Sequence, residues 1–312
     1  MSLFHPPTIR PAKFAGSSYP ASAQKLSDLL NSVVDSPHHL TLSGESVRKN
    51  AQAIIAPHID FRVGLSAYAP AYFALSDTDA DVFVVLATSH YGWGDLFIPT
   101  FQHFSTPHGV AKTDQELLHK LYEKLPRLTR DDSAHNEEHS IEFEVVFLQH
   151  FFGHRPFTVM PILVTSFYPF IQAYHKHQTM PTDSTNFMSF CEALRQVLED
   201  SGKKVAFVAS ADMAHIGRKF DDPFDAASIL PTVEEEDKHL LSAMENSDAG
   251  AYFRRIAAVN DSYKICGLPP VYTMLELVSL TGGTSLAYEQ WYERPTKSAV
   301  TYSSLAYYGA RL

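Results

Sequence analysis

The sequence predicts an α/β fold, a single domain over residues 1–312 with a central, mostly parallel β-sheet flanked by helices. Three observations carry this reading. Continuous apolar runs rich in β-branched residues recur at strand length, VFVVLA at 82–87 and VAFVAS at 205–210 among them, as expected of strands buried on both faces. Segments of helical periodicity separate them. Two runs end on a histidine, AIIAPH on His58 and VVLATSH on His90, and in open α/β sheets ligands collect outside the carboxyl ends of the strands.

Length and composition bound the class. The 312 residues exceed the ~100–200 common for one domain, but α/β folds often run longer as one unit. With 45% apolar and 19% charged residues the chain is a soluble globular protein able to build a sizeable core. Its 25 Lys and Arg against 35 Asp and Glu give a net charge of −10. No dense basic run is present, which excludes a nucleic-acid partner held through phosphates. The amino-terminal stretch MSLFHPPTIRP has a Pro-Pro pair and no apolar core of a leader, so neither a signal peptide nor a membrane span is expected and the cytoplasm is the default compartment. The two cysteines, Cys191 and Cys266, match no CxxC spacing and cannot build a disulfide framework.

In chain order, Leu26, Leu29, Leu30, Val33 and Val34 repeat at helical spacing and predict a helix over about 22–35. Residues 38–50 read as a polar linker. The strand at 53–57 delivers His58, and an Ala-rich helix at 64–75 follows, with Pro70 as a kink or first turn. The strand at 81–90 delivers His90. A helical crossover between these two strands puts His58 and His90 at the same end of a parallel sheet. Residues 96–110 read as strand and loop, and a helix starts at 113 with Thr113 as N-cap and Glu116 completing a capping box. A further helix begins near Glu138, placing His139 and Glu142 on one face. FTVMPILV at 157–164 is a buried strand whose Pro161 fits an edge or a bulge. A polar loop at 175–186 precedes an amphipathic helix at 187–200. The strand at 205–210 leads to Asp212 and His215, 218–230 is loop, and two helices follow. Pro269 and Pro270 suit a helix N-terminus, which sets Cys266 at the positive end of a helix dipole, where a thiolate is favoured. The alternating segments from 285 onward form a terminal hairpin. No internal repeat or low-complexity linker divides the chain.

The chemistry concentrates in His58, His90, Asp212, His215 and Cys266, with His139 and Glu142 outside them. Imidazole, thiolate and carboxylate are the ligands of a mononuclear transition-metal site. Taken singly, each has a plainer reading. A strand-end histidine is commonly a hydrogen-bonded loop residue, and a free cysteine is commonly a small hydrophobe, which is the reading for Cys191. The coincidence of His58, His90 and Asp212 at strand ends that one parallel sheet brings together is what favours a shared site. For His139 and Glu142 two readings stand. In one, Glu137, Glu138 and Glu142 are solvated charges complementing a helix dipole. In the other, His139 is a hydrogen-bonding or acid–base group of the site. No GxSxG, P-loop or strand-borne GxGxxG occurs, so nucleophile-elbow, NTPase and dinucleotide readings lack their marker.

Six segments, in order along nearly the whole chain, carry a resemblance: AGSSYP at 15–20, AIIAPHIDF at 53–61, LATSHYG at 86–92, EEHSIEFEVVFLQ at 137–149, ASADMAH at 209–215 and ICGLPP at 265–270. Together they resemble the Memo family, called AmmeMemoRadiSam system protein B in bacteria and archaea. The resemblance implies a fold like that of the class III extradiol dioxygenases, which are non-haem iron enzymes. It also implies a metal pocket with His58, His90 and Cys266 as ligands, lined by Asp212 and His215. Two departures stand out. Ser18 occupies a position where the family often has Trp, and IDFRV follows the first histidine where the family has a tract of the AGYTY type. Asp60 and Arg62 thus put charge where an aromatic peptide-docking pocket is implied, which suits a small polar substrate.

The ligand set bears on mechanism. Two histidines with a carboxylate form the facial triad of Fe(II) oxygenases, whereas two histidines with a thiolate admit Cu(I), Zn or Fe. Whether Asp212 or Cys266 completes the set stays open on these residues. The family pattern implies His58, His90 and Cys266 as metal ligands; beside them, Asp212 and His215 are expected to orient a ligand or bound water, with His139 nearby as a hydrogen-bonding or acid–base group. Three function classes follow. One is a metal-dependent oxidoreductase using Fe(II) or Cu on a small-molecule or peptide ligand. The second is a binding protein that acts with radical-SAM and AMMECR1-like partners. The third is a Zn-dependent hydrolase with Asp212 or His215 as base.

Overall fold

Strand registers explain the architecture. A computed structural model of the chain describes residues 8–35, 39–92 and 94–312; the amino-terminal reading at 1–7 and the first residue of the 38–50 linker lie outside them. In chain order the elements are β1 (Ile9–Arg10), α1 (Ala23–Val34), β2 (Ala53–Ala56), α2 (Phe61–Leu75), β3 (Val82–Thr88), β4 (Phe97–Pro99), β5 (His103–Thr106) and β6 (Gly109–Ala111). Then come α3 (Gln115–Lys124), α4 (Ala134–Glu137), α5 (Ser140–Phe152), β7 (Thr158–Val164), α6 (Tyr168–His177), α7 (Thr185–Ser201), β8 (Val205–Ser210) and β9 (Asp212–Gly217). The chain closes with α8 (Leu230–Glu245), α9 (Ala249–Ala258), α10 (Leu268–Leu277), β10 (Ser279–Thr281), β11 (Thr284–Glu293), β12 (Ser298–Tyr307) and β13 (Gly309–Arg311).

The main sheet runs β11-β12-β2-β8-β3-β7-β4, with β9 paired to β12. Its centre, β2-β8-β3-β7, is parallel. Antiparallel β4 closes one flank, and the β11–β12 hairpin closes the other by pairing β12 against β2. The parallel core matches expectation, and the flanks make the sheet mixed. Helices cover both faces, giving one α/β domain. Alternate residues of each central strand serve opposite faces: Ala53, Ile55, Val82, Val84 and Leu86 pack with α3, α7, α9 and α10, while Ile54, Ala56, Phe83, Val85 and Ala87 pack with α1, α2 and α5. That double burial is why these strands read as unbroken apolar runs.

Several local expectations are corrected. Asp114, not Thr113, caps α3 by accepting from Leu117 N, while the Thr113 hydroxyl donates to Gln102 O at the turn out of β6. Helix α2 starts at Phe61, so Pro70 sits within the helix. The helix read from near Glu138 is α5, which starts at Ser140, and the short helix α4 just ahead of it was not expected. Helix α6 reaches to His177 through residues read partly as loop. Pro161 is next to an edge, as its lack of an N–H requires, since β4 is short and Thr100 N donates to the Pro161 carbonyl just past its end.

Candidate metal centre

The parallel registers build the site. Ala56 of β2 is level with Ser210 of β8, and Ala87 of β3 is level with the same Ser210. Two residues beyond the ends of these adjacent strands stand His58, His90 and Asp212. Cys266 arrives from the opposite direction, on the turn before α10. Gly267 permits that approach: a Cβ there would lie 2.5 Å from the Asp212 carbonyl and 2.7 Å from the Ala211 Cβ. Gly267 N donates to Asp212 O, which pins the turn to the β8–β9 junction.

One ring nitrogen each from His58 and His90 and the Cys266 sulfur all lie within 4.8 Å of one another. Cys266 Sγ is 3.2 Å from His58 Nε2. The imidazoles of His58 and His90 meet edge to face at 5.2 Å between centroids, and His139 stacks on His90 at 5.0 Å. His139 therefore belongs to the same wall. Glu142 does not, because its carboxylate turns away to Arg10, Tyr19 and the backbone N–H groups of Lys13 and Phe14.

Hydroxyl groups and one carboxylate fix how the imidazoles present themselves. The Ser210 hydroxyl donates to Ser140 O at 2.7 Å, so its oxygen accepts from His58 Nδ1–H at 3.2 Å and Nε2 is left bare toward Cys266. The Ser140 hydroxyl donates to Thr88 O, and the Thr88 hydroxyl donates to Cys266 O. Three hydroxyls thus link β2, β8, α5, β3 and the Cys266 turn in one chain. Glu138 performs the same service for His90. It accepts from His90 N and Nδ1 at 2.7 and 3.0 Å, from His139 N at 2.9 Å and from Ser140 N at 3.2 Å, and lies 3.2 Å from His139 Nδ1. With Nδ1 donating to Glu138, Nε2 is the ring nitrogen that His90 has left for a ligand. His90, Glu138 and His139 form a second close group of potential ligands, but its carboxylate is already occupied by N–H donors.

Electrostatics follow from burial. Desolvation pushes the His58 pKa well below its ordinary range, with the neighbouring His90 and His139 acting in the same direction, so this imidazole is neutral. Burial also opposes charge on His90, but the hydrogen bond and negative charge of Glu138 outweigh it and raise the pKa. Glu138 is held far below the usual carboxylate range, because hydrogen bonds from His139 and His90 overcome its own burial. Desolvation raises Asp212 to about 7 against the backbone N–H groups of His58 and Ile59, which its Oδ1 accepts at 2.9 and 3.2 Å. Its Oδ2 stands 3.7 Å from His58 Nε2. The Cys266 thiol is pushed up by desolvation and by Asp212. That reverses the expectation from the dipole of α10, whose effect is smaller than that of removing the sulfur from water. His215 is not one of the three clustered residues. Its Nδ1 bonds Met213 O, its ring edge meets Phe220, and burial lowers its pKa to about 4.

Sequence reasoning missed Thr88, Ser140, Ser210 and Glu138. Each lies inside a motif already singled out, so the available signal was a hydroxyl or carboxylate within two residues of a candidate His or Asp. Asp60 and Arg62, read as charge for a polar substrate, are committed to each other: Asp60 caps α2 at Arg62 N and binds the Arg62 guanidinium at 2.8 Å.

Fold and site together define an α/β protein with an imidazole–thiol cluster at the carboxyl ends of its parallel strands. A family model described as Memo-like protein matches residues 10–306, and the chain belongs to that family. A MEMO1 family protein of Aquifex aeolicus is 28% identical over 304 residues, covering 96% of this chain and 73% of the relative. One from Methanococcoides burtonii is 29% identical over 267 residues, 86% of each chain. Another, from Pyrococcus furiosus, is 27% identical over 309 residues, 95% of this chain and 98% of the relative. Among the described residues no helix is long and apolar enough to cross a membrane.

Proposed function

We propose that this chain is a metal-dependent oxidoreductase of the extradiol-dioxygenase type, in which His58, His90 and Cys266 hold one Fe(II) or Cu ion. The observation that carries the reading is that one ring nitrogen each of His58 and His90 and the Cys266 sulfur lie within 4.8 Å of one another, while both Nδ1 atoms are held by Ser210 and Glu138. Metal-binding imidazoles characteristically donate their second N–H in this way, which fixes tautomer and ring angle. The donor set fits a borderline or soft metal. Bound there, iron or copper would supply one-electron chemistry toward oxygen or substrate.

The chain's own groups do the rest. Cys266 serves as third ligand because Asp212 has one oxygen spent on the His58 and Ile59 backbone, which holds the His58 turn rigid. The free Oδ2 faces the cluster as a hydrogen-bond acceptor. His139, stacked on His90, forms the adjoining wall. Ser210, Ser140 and Thr88 lock the ligand-bearing segments before any metal arrives, so little reorganisation is needed on binding.

The test is metal analysis of untagged protein purified without chelators, paired with oxygen consumption on catechol-type substrates under Fe(II). Stoichiometric metal that disappears in His58→Ala and Cys266→Ser supports the assignment, and unchanged metal in both variants sinks it. Hydrolysis that needs Zn and survives removal of oxygen would replace it with a Zn-dependent hydrolase. Absence of turnover together with a stable complex with radical-SAM or AMMECR1-like proteins would replace it with a binding role.

A further inference from the structure

Glu144 is a buried acid that the metal site leaves unused, and helical spacing sets its place. It lies one turn after Ser140 on α5, so the two share a face. Ser140 fixes that face to the site, because its carbonyl accepts from the Ser210 hydroxyl and its own hydroxyl donates to Thr88 O. Helical side chains lean toward the amino terminus, which carries the Glu144 carboxyl back to the border of Ser210. Ser210 in turn accepts from His58 Nδ1. From the other side Tyr72 of α2 donates to Glu144 Oε2 at 2.5 Å. Tyr72 and Glu144 are both fully buried, and Glu144 Oε1 has no hydrogen-bond partner among the described residues.

Other phenols of the chain meet carboxylates, in different surroundings. Tyr19 donates to Glu142, whose oxygens are already filled by Arg10 and two backbone N–H groups. Tyr288, Tyr292 and Tyr302 donate to Asp237, Asp225 and Glu289, whose further partners lie outside the metal site. Tyr72 is also joined to the cluster by rings. It stacks on Phe147 at 4.8 Å between centroids, and Phe61, Phe143, His139 and His58 follow at 5.3, 4.9, 5.3 and 5.3 Å. In the opposite direction Phe151, partly buried, stands 5.9 Å from Tyr72 and meets His150 near the end of α5. Phenylalanine rings can pass an electron only by tunnelling, whereas a phenol can give one up. Tyr68, stacked on the same Phe147, donates to the Ile59 carbonyl, which is no base for its proton. Tyr72 alone of the two has an acid group to receive one.

We infer that Tyr72 is a redox-active relay between the metal centre and the surface, with Glu144 as its base. Tyr72 gives one electron to an oxidant at the cluster, a metal ion in its higher oxidation state, and its phenolic proton to Glu144 Oε2. The products are a neutral tyrosyl radical, the reduced ion and a neutral Glu144. An external one-electron donor acting from the Phe151 side returns the electron, and Glu144 returns the proton. An oxidised phenol is a far stronger acid than the phenol, so electron and proton leave together, and a buried phenol needs a base already bonded to it. Burial raises the Glu144 pKa to about 8 against the hydrogen bonds of Tyr72 and Ser210. The other titratable groups that face it are Tyr68 from α2 and Asp212 beyond β8. Only ionised Glu144 takes the proton, so the relay strengthens as pH rises toward 8. The oxidant rests on the oxidoreductase reading; the radical site does not.

Two preparations of the full chain separate the claims. In metal-free protein, photogenerated tris(bipyridine)ruthenium(III) serves as oxidant and electron paramagnetic resonance reads the radicals. The expected result is a long-lived tyrosyl radical in wild type, shielded from solvent, that is missing in Tyr72→Phe. Its rate of formation should climb about tenfold from pH 6 to pH 7, following ionised Glu144, and stay flat in Glu144→Gln, which keeps an acceptor for Tyr72 but takes up no proton. The same radical in Tyr72→Phe, or an unchanged pH profile in Glu144→Gln, overturns the proposal. Glu144→Gln also decides it should Tyr72→Phe fail to fold. In metal-loaded protein, hydrogen peroxide should raise the same Tyr72 signal, and loaded protein that gives no such signal overturns the link to the centre. If the protein takes up no metal, the oxidoreductase reading fails while the metal-free radical still decides Tyr72.

Discussion

Ser210 sets the face that His58 presents. Its hydroxyl has one proton, given to Ser140 O, and that leaves it only an acceptor for His58 Nδ1–H. In Ser210→Ala the tautomer of His58 is no longer fixed. Metal affinity should fall by ~10–100-fold, the usual cost of losing such a partner, measured by competition with a chromophoric chelator; unchanged affinity would remove the hydroxyl chain from the account. A neighbouring prediction concerns Gly267. In Gly267→Ala the new methyl meets the Asp212 carbonyl, a backbone atom that cannot rotate away, and overpacking of this kind costs ~1–3 kcal/mol. Chemical denaturation of the metal-free protein should show that loss, and metal affinity should drop with it because the Cys266 turn is displaced.

At the scale of elements, the site leans on the amino-terminal segment. Buried Arg10 donates to Glu142, to His135 O and to Glu138 O, and Glu142 collects Tyr19 and two backbone N–H groups. The AGSSYP motif is thereby tied to α5 directly behind His139, whose ring meets Phe14 at 5.7 Å. Removing one partner of a buried pair strands the other, at ~3–5 kcal/mol. Glu142→Ala should therefore lose stability on that scale in urea unfolding, and Tyr19→Phe ~1.5–3 kcal/mol from one hydrogen bond to a charged group. A loss below ~1 kcal/mol in Glu142→Ala would mean that the segment is not held through this carboxylate. This network also marks the limit of sequence reading. His58, His90 and Asp212 were legible because each follows an apolar strand by two residues, a local pattern. Glu138 and Glu142 resembled solvated charges of a helix start, since nothing within a few residues announces burial. Their partners, Arg10 and His90, lie 132 and 48 residues away. The short α4 was hidden for the same reason: it ends on an extended Glu138 whose carboxylate meets the two imidazoles, contacts that its neighbours in sequence do not announce.

For the whole molecule, the parallel centre followed from periodicity, but the β11–β12 hairpin was legible only as a hairpin. Its docking against β2, with Leu305 opposite Ile55, joins segments some 250 residues apart and leaves no local mark. On the other side of the centre, α5 packs against β3 and β8 and buries Glu144 completely, where Tyr72 donates to one oxygen and the other has no partner among the described residues. Burial there raises its pKa from 4.5 to about 8. The sign of the effect on stability is fixed by linkage. Between these values the folded chain holds a proton that the unfolded chain has released, so the contribution of Glu144 is present below pH 4.5 and is lost as pH rises toward 8. Glu144→Gln keeps the shape and an acceptor for Tyr72 but cannot ionise. In metal-free protein the stability of wild type relative to Glu144→Gln should thus decline steadily from pH 5 to pH 8, by on the order of 4 kcal/mol. Urea unfolding of the two proteins across that range checks it. A difference that is flat in pH would mean that Glu144 is charged in the folded state, and the unpartnered oxygen would then require a donor supplied by solvent inside the core.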